Sequence, residues 1–185
     1  MDEKTISMER VYEGRIVSLE LHEVEMRDGT RTSREIVRHG PAVAVVAQLP
    51  KPDDRFVFVR QFRKPLDRPV LEIVAGNVED SEDLEEAACR EVLEETGYEV
   101  TKIERLGALY PSPGYVDERI EIYYARLWHE PRSRNLDHDE DIEVHFHSRD
   151  VVRMLIHTGQ IQDGKTMAAW LLYEQRRAAQ KERDT

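Results

Sequence analysis

The sequence predicts an α/β protein: a mixed sheet between helical layers, preceded by a small antiparallel sheet. Three observations lead there. Residues 42–49 form a continuous apolar run with the content of a buried central strand. One long helical pattern, closed by Gly97, falls among the strand-like segments instead of beside them. Two further helical patterns, residues 148–157 and 163 to about 181, finish the chain.

Each element follows from local signals. Residues 1–40 alternate polar and apolar residues, as in Arg15-Ile16-Val17-Ser18-Leu19-Glu20-Leu21 and Glu35-Ile36-Val37-Arg38, with Asp28-Gly29 as a hairpin turn between them. This stretch is expected to be an N-terminal antiparallel sheet, with residues 41–185 as the main domain. Pro41 separates the two. Lys51-Pro52-Asp53-Asp54 turns the central strand into its partner, residues 56–62, and residues 70–74 form a further short strand running into Ala75-Gly76. A helix is expected from about Ser81 to Thr96, with Gly97 as its left-handed stop. Residues 98–109 and 119–127 read as strands, joined by Tyr110-Pro111-Ser112-Pro113-Gly114-Tyr115, a loop by composition. The acidic Asp137-His138-Asp139-Glu140-Asp141 leads to a strand at 142–146, and Ser148 is placed to cap the next helix.

Composition narrows the function. A chain of 185 residues with 39% apolar content closes one core, with room for a small appendage. No apolar run reaches the roughly 18 residues of a membrane span, and MDEKTISMER lacks the apolar core of a secretion signal. The lone Cys89 fits a reducing compartment, so a cytoplasmic protein is expected. A net charge of −11 argues against a nucleic-acid surface. Phosphate ligands stay open to an acidic protein if metal ions and local arginines reverse the field.

The central helix carries the chemistry. Wound at the helical period, Leu84, Ala88, Glu91 and Glu95 share a stripe flanked by Ala87 and Val92. That stripe is expected to be buried, with Glu94 beside it. Carboxylates continuing an apolar seam repel one another, by about 0.2–0.5 kcal/mol per i,i+4 pair even when exposed. A divalent cation resolves this, because Mg²⁺ favours hard oxygen ligands. A solvated acidic face accounts for Glu82, Glu85 and Glu86, but poorly for Glu91 and Glu95.

From Gly76 to Gly97 the chain reads G-x5-E-x7-R-E-U-x-E-E-x-G, with U apolar, and this resembles the box of the Nudix hydrolases. The resemblance implies an α/β/α sandwich from about residue 41, to which the N-terminal sheet is added. It implies metal held by Glu91 and Glu95, with Glu94 as a further ligand and the carbonyl of Ala75 joining them. Mg²⁺ is the expected ion and Mn²⁺ the alternative. Gly76, Glu82 and Arg90 are then supports, Arg90 fixing the carboxylates and Glu82 bracing the helix start.

Surrounding residues resemble the ADP-ribose pyrophosphatases within that family. Leu71-Glu72-Ile73-Val74-Ala75-Gly76 is similar to their L-E-x-P-A-G entry, with Val74 in place of proline. Pro113 follows Gly97 by 16 positions, and Arg60-Gln61-Phe62-Arg63 and residues 159–166 also look like that group. Tyr98 and Ser81 depart from it, away from the metal positions. The implied reaction splits ADP-ribose, or a related nucleoside diphosphate sugar, into AMP and a sugar phosphate. GDP-mannose or a dinucleotide remains an alternative substrate. So does a non-catalytic ADP-ribose sensor, against which the intact glutamate set argues.

In such relatives the general base comes from a loop outside the box. Glu140 is the first candidate here and Glu143 the second, with Glu94 also counted among the catalytic carboxylates. His138, His145 and His147 read as surface or core histidines and not as a metal cluster. Arg63 and then Arg38 are candidates for substrate contact. The resemblance also implies a homodimer through residues 1–40, whose sheet has too little apolar content for a core of its own.

Overall fold

The computed structural model describes residues 2–133 and 141–183, and the chain divides into two compact units. One comprises Met1–Pro41 with Tyr110–Arg119, the other Ala42–Leu109 with Ile120–Thr185.

The first unit is an antiparallel sheet of β1 (Lys4–Glu13), β2 (Val17–Glu25) and β3 (Arg31–His39), in that order. The β2–β3 turn falls at Asp28-Gly29: Gly29 has φ 84°, and Asp28 Oδ1 accepts the Thr30 N–H at 3.0 Å. The proline-containing loop lies along β3. Val37 donates to the Tyr115 carbonyl at 2.7 Å and accepts from Asp117 N at 3.2 Å.

The second unit is built around β4 (Ala42–Gln48), which is buried along its whole length. Its other strands are β5 (Phe56–Arg63), β6 (Arg68–Glu72), β7 (Val74–Asn77), β8 (Val100–Leu109), β9 (Ile120–Leu127) and β10 (Ile142–His147). The order is β10-β5-β4-β9-β8, with β6 on β5 and β7 on β4. Among the described residues only β4–β9 is parallel, so the sheet is mixed. Three helices cover it: α1 (Leu84–Thr96), α2 (Arg149–His157) and α3 (Gly164–Arg183). The alternation along β4 explains the two layers. Ala42, Ala44 and Val46 pack with Phe56, Phe58, Val152, Trp170 and Tyr173, whereas Val43, Val45 and Ala47 pack with Ala87, Ala88 and Val92 of α1. A strand apolar from Ala42 to Ala47 and buried to its end at Gln48 is a strand with helices on both faces. No helix among the described residues is long and apolar enough to cross a membrane.

Four expectations are corrected. The helix begins at Leu84 and not Ser81, because Ser81 is left-handed at φ 67° and Asp83 is the cap, accepting the Glu85 N–H at 2.8 Å. The strand at 70–74 is two strands that change partner at Ile73. β5 pairs with β4 only at Ala47–Val57 and Gln48–Phe56, which leaves the Ala42–Val45 edge free for β7. The buried face of α1 is Ala87, Ala88, Val92, Glu95 and Thr96, with Leu84 and Glu91 at its margin. β8 begins at Val100, since Tyr98 is spent on the core, edge-on to Phe146 at 6.1 Å.

Candidate active site

In the second unit, β7 and α1 bring the two ends of the box together. A Cβ built on Gly76 would lie 2.0 Å from the Glu91 carboxyl carbon and 2.1 Å from Oε1. A Cβ there would push the Glu91 carboxylate away, so the glycine is what permits this close approach of carboxylate to backbone. Ala75, one residue earlier, is half-buried. Glu95, one turn beyond Glu91, is 2% exposed. Its Oε2 is buried without a hydrogen bond, and its charge acts on the guanidinium of Arg63.

Arg90 organises the remaining carboxylates. Its Nε and Nη2 grip Glu82 at 2.8 and 3.0 Å, and Nη2 also donates to the Asn77 carbonyl at 3.0 Å. Nη1 bonds both Glu91 Oε1 and Glu94 Oε2, each at 2.8 Å. These contacts raise the Arg90 pKa, the Glu82 pair first, and in turn hold the Glu82 carboxyl below its usual range. Glu82 also accepts the Glu79 N–H at 3.0 Å, tying the turn before α1 to the same guanidinium. Glu91 therefore has a cationic neighbour one residue away, which the wheel did not reveal.

The NUDIX domain model matches residues 38–170. The chain belongs to the Nudix family. It is 38% identical over 170 residues to an ADP-ribose pyrophosphatase of Bacillus subtilis (strain 168), with 91% of each chain covered. It is 40% identical over 169 residues to a methanol dehydrogenase activator of Bacillus methanolicus, covering 91% of this chain and 90% of that one. A crystal structure of an ADP compounds hydrolase shares the fold, with a TM-score of 0.85 over 97% of this chain and 96% of that chain at 22% identity.

Nudix hydrolases generally need a divalent metal ion. The Nudix box of this chain suits one: its donors are hard carboxylate oxygens, and the missing Cβ of Gly76 lets one of them reach the backbone beside Ala75. Among the described residues no three His, Cys, Asp or Glu side chains are gathered as ligands, and Arg90 neutralises Glu91 and Glu94 instead.

The other predicted residues of this Nudix chain are placed as follows. Arg63, at the end of β5, gives Nε and Nη2 to Glu72 at 2.8 and 2.7 Å. Arg38, in the first unit, bonds Glu20 Oε2 at 2.8 Å and Asp117 Oδ2 at 2.9 Å, which links β2, β3 and the proline loop. Glu140 and His138 lie outside the described residues. Glu143 is exposed on β10, 3.6 Å from Arg60 and 3.4 Å from His145 Nε2.

Among the described residues, the buried Glu20, Glu72 and Glu121 escaped the sequence reading, and the first two carry strong electrostatics. Glu20, in the first unit, is pushed down to about 2, chiefly by His22 at 2.9 Å, then by Arg38 and Arg10. Glu72, in the second, is pushed up by burial, but Arg63 and Lys165 outweigh this and hold it below its usual range. Both stand in alternating strands where a glutamate normally marks the solvent face. No local signal distinguishes them, because apart from His22 beside Glu20 their partners come from other strands or from α3.

Proposed function

We propose that this protein hydrolyses the diphosphate bond of ADP-ribose or a closely related nucleoside diphosphate sugar, giving AMP and a sugar phosphate. The meeting of Gly76 with Glu91, inside a complete Nudix box, carries this reading. The likeness to an ADP-ribose pyrophosphatase across nine-tenths of both chains supports the substrate. Glu91, Glu94, Glu95 and the Ala75 carbonyl would hold the metal, Mg²⁺ first and Mn²⁺ as the alternative. Such an ion, when bound, supplies positive charge to the diphosphate and lowers the pKa of a water.

The chain's own residues do the rest. Arg90 holds Glu91 and Glu94 in place and tethers them to Glu82, so their orientation is set before substrate arrives. Gly76 keeps backbone and carboxylate in contact. Glu140, in the acidic segment ahead of β10, takes the proton from the water that attacks phosphorus, while the bridging oxygen leaves with the other phosphate. Arg63, already fixed by Glu72, keeps Nη1 for a substrate oxygen, and Arg38 is the second such candidate. The first unit pairs with that of a second copy to form a homodimer. Its exposed Ile6, Met8, Val11, Tyr12, Ile16 and Leu21 support this.

A panel of ADP-ribose, GDP-mannose, NADH, FAD and diadenosine polyphosphates, with products separated by chromatography, tests the reading. ADP-ribose is expected to give the highest kcat/KM, with AMP and ribose 5-phosphate as products. A preference for GDP-mannose or a dinucleotide would reassign the substrate. Tight binding of ADP-ribose without turnover, in Mg²⁺ or Mn²⁺, would make the protein a sensor.

A further inference from the structure

Glu72 and Ile73 lie just ahead of the strand that carries Ala75 and Gly76, and both are gripped by the first turn of α3. The Glu72 side chain, 3% exposed, takes the two hydrogen bonds from Arg63 and a third, on Oε2, from the Lys165 ammonium. Ile73 gives its N–H to Thr166 Oγ1 at 3.0 Å. Asp163 fixes both grips. Its Oδ2 accepts the Thr166 N–H at 2.9 Å and the hydroxyl at 2.6 Å, and its Oδ1 lies 3.2 Å from Lys165 Nζ. Thr166 is fully buried.

This is a costly way merely to attach a helix to a sheet. A buried ion pair often contributes no more stability than apolar side chains of the same volume, and its best-attested advantage is to specify register. Directed bonds fix orientation where packing fixes only volume. A strand advances about 3.3 Å per residue, so Ala75 lies only about 7 Å along the chain from Ile73. Over that length a shift at Ile73 reaches the Ala75 carbonyl with little loss, and a 1 Å misplacement of a reacting group can cost about 10²-fold in rate.

We infer that Lys165 and Thr166 are positioning residues for the metal site: by holding Glu72 and Ile73 they set how Ala75 and Gly76 face Glu91. The inference rests on the metal reading of the box. It is tested with Lys165→Met and Thr166→Val in the full-length protein, with Lys165→Arg as the conservative control. Free Mn²⁺ is measured by electron paramagnetic resonance without substrate, and amide exchange is followed at residues 73–76. Lys165→Met and Thr166→Val are expected to keep the wild-type circular dichroism and a cooperative melt. They should bind Mn²⁺ about tenfold more weakly, the range seen when groups behind metal ligands are removed. Exchange at 73–76 should quicken, and kcat should fall at saturating metal with KM nearly unchanged. Lys165→Arg should recover most of each. Wild-type Mn²⁺ affinity and wild-type exchange in a folded Lys165→Met overturn the inference and leave the metal reading standing. If that variant does not fold, the same two measurements on Thr166→Val decide. A wild-type protein that binds no Mn²⁺ overturns both.

Discussion

At the scale of single residues, Glu95 and Glu140 separate metal binding from proton transfer. Glu95 is buried beside Ala88 and Val92, one turn beyond Glu91 in the Nudix box, where it would serve as a metal ligand under the proposed function. Glu95→Gln keeps the shape and removes the charge. It should fold normally, bind Mn²⁺ weakly and lose on the order of 10²–10⁴ in rate, the equivalent of several kcal/mol of charge stabilisation. Glu140→Gln should instead keep Mn²⁺ affinity and KM and lose a comparable factor in kcat, as expected for a general base. Normal turnover of a folded Glu95→Gln at saturating Mg²⁺ would sink the metal assignment. An unchanged kcat in Glu140→Gln would move the base to Glu143 or to a glutamate of the box. Gly76 belongs to the same scale, because a side chain there would displace one carboxylate, that of Glu91, and would not strain the backbone.

At the scale of elements, the second unit is cross-linked by glutamates paired with distant basic residues. Glu72 joins β6 to β5 and α3, Glu104 of β8 meets Arg176 of α3, and Glu174 of α3 meets Arg149 of α2. All three carboxyls are held below their ordinary value of 4.5, Glu104 and Glu174 chiefly by the arginine bonds and Glu72 by Arg63 and Lys165 against burial. The sign follows directly. A depressed folded-state pKa contributes stability that is complete above the unfolded value and is lost as the pH falls through the folded one. The melting temperature should therefore be flat above about pH 5 and drop below pH 4.5, with an uptake of protons on unfolding. Glu72→Gln should lower stability at pH 7 and flatten part of that acid limb. An acid limb identical to that of the wild type would show that Glu72 contributes nothing to it.

At the scale of the whole molecule, the exposed apolar side chains of the first unit support the proposed pairing with a second copy. Every residue of β1 is exposed, including Ile6, Met8, Val11 and Tyr12. A small sheet with an uncovered apolar face is marginal in water, and pairing with its own copy covers equivalent residues on both. Sedimentation at micromolar concentration should give a dimer. Val11→Lys with Tyr12→Lys should shift it to monomer and weaken substrate affinity, although every box residue remains. A fully active monomeric wild type would overturn this.

How much of this was legible in the chain depends on the range of each interaction. The continuous apolar run of β4, the stop at Gly97 and the spacing from Gly76 to Gly97 are local or periodic signals, and from them follow the sandwich, the helix and the carboxylates of the box. The true start of α1 was less legible, because Asp83 and Ser81 are both good capping residues and only the left-handed Ser81 backbone decides between them. The change of partner at Ile73 has no sequence signal at all, since it depends on how far β5 runs beside β4. What the sequence by itself determined is the reaction class, through residue types at fixed spacing. Arg90 as the residue that fixes the box carboxylates was also legible, but tertiary structure alone decided which cations the other buried carboxylates keep: Lys165 and Arg63 for Glu72, Arg38 for Glu20. The physical reason is that an ion pair depends on the distance between charges in space, and most of these partners are brought together only when the chain has folded.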